Sequence, residues 1–181
     1  MQPLRIPERE IKTFDQQDYD PTWPVHKRDS ARAIIFVDGQ LVLVKSKKYG
    51  EYKFPGGGIK PGESHENTLI RETMEEAGMA IIPSTIKPYG KTTMRRKSSQ
   101  HPQEIFEQES FYYTCKIDPQ KTTHPTPEVG YETEYGYAPV LATLVDAIAA
   151  NRQRLNIPAI PWAIRDLAVM EELQVTSTRK D

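Results

Sequence analysis

The 181 residues carry 24 Lys+Arg against 25 Asp+Glu, a net charge of −1, which excludes a DNA-coating protein and a polybasic membrane-surface protein. At about 150 residues per domain the length allows one compact domain, read as 29–155, with an N-terminal arm 1–28 and a C-terminal helix and tail 156–181 packing on the same domain. Apolar residues make up 37% and 15 prolines outnumber 10 glycines, so the core is modest and the loops many.

Residues 1–28 mix prolines, acids and isolated aromatics (Phe14, Tyr19, Trp23) with neither helical nor strand period, and read as an arm over the core. Ala31–Val37, Asp38-Gly39 and Gln40–Lys45 form an apolar run, a type I′ turn signal and a second run, which predicts a hairpin. Pro55 to Gly58 and Pro61-Gly62 make Phe54–Glu63 a tight irregular loop. The next helix runs from Ser64, its N-cap, to Ala77, with Gly78 as its left-handed terminator. Ile81–Arg96 and Glu104–Ile117 read as strands or strand pairs joined by the basic loop Arg95–Gln103, and Asp118–Tyr135 as a long Pro, Thr and Glu loop. A short strand and two helices follow, the first over Thr143–Arg154 and the second opened by Pro161 at its first position.

The helix after the glycine loop concentrates the chemistry. With Glu72 at zero and about 100° per residue, Glu76 falls near about +40°, Glu75 near about −60° and Arg71 near about −100°. Leu69, Ile70, Thr73, Met74 and Ala77 fall on the other side, the one to bury. Glu63 adds a fourth carboxylate at the mouth of the loop. Like charges so close are unfavourable without a counter-charge. Oxygen ligands with no Cys or His suit a hard cation, Mg²⁺ or Mn²⁺, shared with phosphate oxygens of a substrate. The chemistry implied is metal-assisted attack of water on phosphate. Gly56, Gly57 and Gly58 let the backbone approach metal or phosphate closely.

Gly57, five residues, Glu63, seven residues, Arg71-Glu72-Thr73, one residue, Glu75-Glu76, one residue and Gly78-Met79 together resemble the Nudix box of MutT-like hydrolases. The resemblance covers roughly Arg28 to Arg154. It implies an α/β fold, an α/β/α sandwich with a mixed β-sheet between helices, and hydrolysis of a nucleoside diphosphate linked to another moiety. By position it makes Glu72, Glu75 and Glu76 metal ligands, Glu63 the upstream acid, Arg71 the arginine that orients a glutamate, and Gly56 a backbone-carbonyl ligand. Thr73 departs from the family, which usually has an aliphatic residue there. The family often pairs through its N-terminal segment, so Pro3–Trp23 is a candidate for such an exchange in a homodimer.

The general base stays open between the box, with Glu72 and Glu75, and later acids. Strand alternation in Glu104–Tyr113 puts Ile105, Glu107, Glu109, Phe111 and Tyr113 on one face, so two charges interrupt an apolar side. Glu128, Glu132 and Glu134 in the long loop are the rivals. Arg95, Arg96 and Lys97 are candidates to clamp phosphates, and Tyr49 and Tyr52 to stack on a base; Phe106 reads better as packing. The four histidines, His26, His65, His101 and His124, have no ligand spacing and read as surface residues.

In relatives a proline about sixteen residues past the box marks ADP-ribose enzymes and a tyrosine thereabouts dinucleoside polyphosphate enzymes. The corresponding Met94-Arg95-Arg96-Lys97 has neither, so nucleoside triphosphates, nucleotide sugars and ADP-ribose-like compounds all stay open. The rivals to a hydrolase are a non-catalytic nucleotide-sensing Nudix module and an isopentenyl diphosphate isomerase-like enzyme. The latter needs a cysteine upstream of the box, and the lone Cys115 lies downstream. That single cysteine excludes an intrachain disulfide. The resemblance implies a small-molecule nucleotide as partner, and the balanced charge predicts no nucleic acid. No apolar run approaches the ~20 residues of a membrane span and Met1–Arg9 lacks a secretory signal, so no membrane partner and a cytoplasmic location are expected.

Overall fold

The computed structural model describes residues 4–124 and 134–178. The main sheet is mixed, in the order β1 (Glu10–Asp15), β9 (Lys87–Lys97), β10 (Ile105–Thr114), β3 (Ser30–Ile34), β7 (Gly56–Gly58), with β2 (Val25–Lys27) also on β10. β9–β10 and β3–β7 are antiparallel, whereas β1 on β9 and both β2 and β3 on β10 are parallel. A second sheet gathers β4 (Phe36–Val37), β6 (Tyr52–Lys53) and β12 (Tyr137–Ala142) around β5 (Gln40–Ser46). β8 (Met79–Ile81) and β11 (Ile117–Thr122) pair apart from both.

The period of two along these strands makes two cores. Ala31, Ala33, Phe111 and Tyr113 point to one face, where Leu69 and Ala77 of α1 (His65–Ala77) close over them. Ile34 and Tyr112 point to the other, under Ala147 and Ile148 of α2 (Leu144–Arg152) and Leu167, Met170 and Leu173 of α3 (Ala163–Thr178). The result is an α/β/α sandwich around a mixed sheet. Among the described residues no helix is long and apolar enough to cross a membrane.

The hairpin turn has φ +49° at Asp38 and +78° at Gly39, the two positive values of type I′. Ile35 breaks the first run, because there the chain leaves the main sheet for the second. The arm differs from its reading: it holds β1 and β2, both added in parallel to strands far away in sequence, so no local pattern announces them. Pro161 stands two residues before α3 rather than at its first position. β11 takes up the first part of the presumed 118–135 loop. Glu128 and Glu132 lie outside the described residues.

Candidate active site

α1 begins where Ser64 accepts the Asn67 N–H (3.1 Å) and ends on Gly78 at φ +66°. Between these caps, Arg71 binds three of the four acids. Its Nε and Nη2 grip Glu63 at 2.8 Å each, and its Nη1 reaches Glu72 at 2.6 Å and Glu75 at 3.2 Å. The Arg71 guanidinium holds Glu63 at about 2, well below its ordinary 4.5. Burial, opposed by Arg71, raises Glu72. The fourth acid, Glu76, is not on an open face with the others. It is buried, accepting the Gly56 N–H (2.8 Å) and facing Lys53 Nζ at 3.7 Å. Packing and chemistry therefore overlap on this helix, because Glu76 also touches the edge strand β7.

β7 brings the glycines against these acids. A side chain on Gly57 would place its Cβ 2.5 Å from the Glu72 carboxylate, and one on Gly56, at φ +140°, would run into the Ala31 carbonyl. Arg32 Nη1 donates to the carbonyl oxygens of Phe54 and Gly56, 3.1 Å each. Among the described residues no three His, Cys, Asp or Glu side chains form a group that holds a metal ion, since Arg71 stands between three of the acids. The donor set itself is carboxylate and carbonyl oxygen beside a glycine with no side chain in the way, which fits a hard divalent ion.

Gly56, Gly57, Gly58, Glu72 and Glu75 open on a cavity of about 860 Å³. Among the described residues its other charged walls are cationic: Arg28, Arg32, Lys53, Lys60, Arg96 and Arg165. A cleft of one sign raises the local concentration of anions. The NUDIX domain profile matches residues 26–154. The chain belongs to the NUDIX family. Members of this family act on phosphoanhydride bonds and generally use divalent metal ions. Over 106 residues the chain is 27% identical to mouse "Nucleoside diphosphate-linked moiety X motif 6", covering 57% of this chain and 32% of that one. Over 49 residues it is 39% identical to the RNA pyrophosphohydrolase of Proteus mirabilis, 26% of this chain and 28% of that one. It thus spans about a third or less of these relatives. The mutator MutT protein of Bacillus halodurans superimposes with TM-score 0.51 at 18% identity, over 68% of this chain and 72% of that one.

The NUDIX cavity takes in only some of the residues read from the sequence. Arg96 lines it, with its guanidinium 5.0 Å from the Phe106 ring, and Phe106 lines it too rather than packing in the core. Arg95 points the other way, to Glu107 (3.6 Å) and the Tyr19 ring. Tyr52 is buried under α2, its N–H bound by Asn151 Oδ1 at 2.8 Å, and is core rather than a base platform. Glu107 and Glu109 share a face, as alternation requires, but it is the face of Phe111 and Tyr113 under α1; the cavity takes Phe106 and Gln108 from the opposite face. Glu109 is paired instead with Lys27 (2.7 Å) and Lys91. Although burial pushes it up, these two amines hold it below the ordinary carboxylate range. Glu134 pairs with Lys48. His65 is not a surface residue: its Nδ1 is 2.7 Å from the Tyr113 hydroxyl, and burial lowers it. His26 and His101 do line the cavity.

Arg28, Arg32, Lys53, Lys60, Gln108, Trp162 and Arg165 were not among the residues singled out from the sequence. Each cation sits in an ordinary-looking strand or loop or, for Arg165, in the first turn of α3. Arg32 carries the one usable signal, a charge inside the apolar run Ala31–Val37.

Proposed function

We propose that this chain is a Mg²⁺- or Mn²⁺-dependent pyrophosphohydrolase that cleaves a nucleoside diphosphate linked to another moiety. One observation carries the reading: the carboxylates of α1 and the backbone of β7 meet at a cavity whose remaining charged walls, among the described residues, are cationic. Glu63, Glu72, Glu75, Glu76 and the Gly56 carbonyl would hold the ion. When bound, such an ion neutralises charge on the phosphates and makes water a better nucleophile.

The chain's own residues do the rest. Arg71 keeps Glu63, Glu72 and Glu75 together against their mutual repulsion, and Arg32 fixes the direction of the Gly56 carbonyl. Arg28, Arg32, Lys60 and Arg96 take the phosphate oxygens and oppose the charge that grows on the leaving phosphate. Among the described residues Glu72 and Glu75 are the carboxylates in the cavity wall, and one of them accepts the proton of the attacking water. Water adds to one phosphorus, the bridging P–O bond breaks, and the other phosphate departs with its substituent.

Cys115 supports no isomerase reading: it is buried behind α1, and burial pushes its thiol up to about 12. The test is phosphate or pyrophosphate release from a nucleotide panel in Mg²⁺. Metal-dependent release that chelation abolishes is the expected result. Tight nucleotide binding without turnover would favour the sensing module instead.

A further inference from the structure

Two of the six cations in the cavity wall are matched inside the protein: Lys53 by Glu76 (3.7 Å) and Arg165 by Asp166 (2.9 Å). The two wall acids, Glu72 and Glu75, share the single Arg71 guanidinium with Glu63, and the two carboxylate charges left over are those a divalent ion would balance. Among the described residues, Arg28, Arg32, Lys60 and Arg96 pair with no carboxylate. For Arg28 and Lys60, which are exposed, that is unremarkable. For the other two it is not.

Arg32 is only 7% exposed, and its one pair of hydrogen bonds goes to the carbonyls of Phe54 and Gly56. Its Nε is buried without a partner among the described residues, as is that of Arg96. Arg96 lies over the Phe106 ring, while Asp18, whose field reaches it, accepts instead from the Lys97 N–H at 2.6 Å. A guanidinium taken out of water without an acid is costly, and an anion in the cavity relieves that cost. Arg28 adds a further fork beside the phosphate-approaching glycines: a Cβ on Gly58 would stand 3.0 Å from its Nε.

We infer that the cavity is built for a chain of three or more phosphates, in preference to a diphosphate diester such as a nucleotide sugar or ADP-ribose. A diester of diphosphate brings about two negative charges, and a nucleoside triphosphate about four, one for each cation without an acid. This rests on the pyrophosphohydrolase reading and narrows its substrate class.

Calorimetric titration of the full chain in Mg²⁺ tests it with two probes that resist cleavage, an α,β-methylene nucleoside triphosphate and an α,β-methylene analogue of ADP-ribose. The triphosphate is expected to bind at least about tenfold more tightly, the worth of one charge-assisted contact. Arg96→Gln should weaken the triphosphate about tenfold and the diester less than about threefold. Arg28→Gln with Lys60→Gln, at two exposed positions, should act in the same direction and guards against misfolding of the first variant. Equal affinities, tighter binding of the diester, or variants that weaken both probes alike would overturn the inference. Turnover of the unmodified compounds separates the two claims: no hydrolysis with the binding preference intact refutes the enzyme and leaves the polyphosphate preference standing.

Discussion

At the scale of single residues, the site depends on what is absent at Gly57 as much as on the acids. A Cβ there would stand 2.5 Å from the Glu72 carboxylate, so Gly57→Ala must displace either β7 or Glu72. Turnover should fall at least about tenfold at a nearly unchanged unfolding midpoint, because the end of the Glu72 side chain is what must move; unchanged kcat would show that the approach of Glu72 to the backbone does not matter. Glu63 gives a pH signature. Its folded-state value of about 2 lies below the ordinary 4.5, so the stability it contributes is complete above 4.5 and is lost as pH falls towards 2. In urea titrations across that window, wild type should lose its advantage over Glu63→Gln, and a constant difference would refute the role given to Arg71. The spacing of Gly57, Glu63, Arg71 and the glutamates was legible in the sequence because the motif is local. Arg32, Arg96 and Arg165 converge on the same cavity from three separate segments, and spacing along a chain does not show that.

At the scale of elements, α1 was read nearly to the residue, since capping and the 3.6-residue period are both local effects. The departure at Thr73 has a physical cost: the side chain is fully buried and its hydroxyl has no hydrogen-bond partner among the described residues. Thr73→Val should therefore stabilise the protein by about 1 kcal/mol, seen as a higher denaturant midpoint with activity retained; a lower midpoint would mean that the hydroxyl has a partner. β10 shows the limit of periodicity. Alternation correctly put Glu107 and Glu109 with Phe111 and Tyr113, yet both faces of a central strand are covered, and only the placement of α1 decides which one meets the cavity. β1 and β2 were invisible for a related reason, because parallel strands added from far along the chain need no hairpin and leave no turn signal.

For the whole molecule, the cavity is an intersection of the two sheets, the edge of α1 and the start of α3, and its integrity depends on ties between them. The Lys53–Glu76 pair joins β6 to α1 with both side chains about 95% or more buried. Lys53→Met leaves Glu76 without that ammonium in the interior and should cost about 3 kcal/mol in urea unfolding. For the same reason Glu76 is a poor position at which to test the chemistry, whereas the Glu75 side chain, 43% exposed, can lose its charge with the fold intact. The central claim is that the α1 carboxylates serve hydrolysis of a phosphoanhydride in this cavity, and the most direct measurement compares phosphate or pyrophosphate release by wild type and Glu75→Gln on one nucleotide panel in Mg²⁺. Release by the variant should be at least about a hundredfold slower at an unchanged unfolding midpoint; equal release by the two proteins would show that the Glu75 carboxylate takes no part in the reaction.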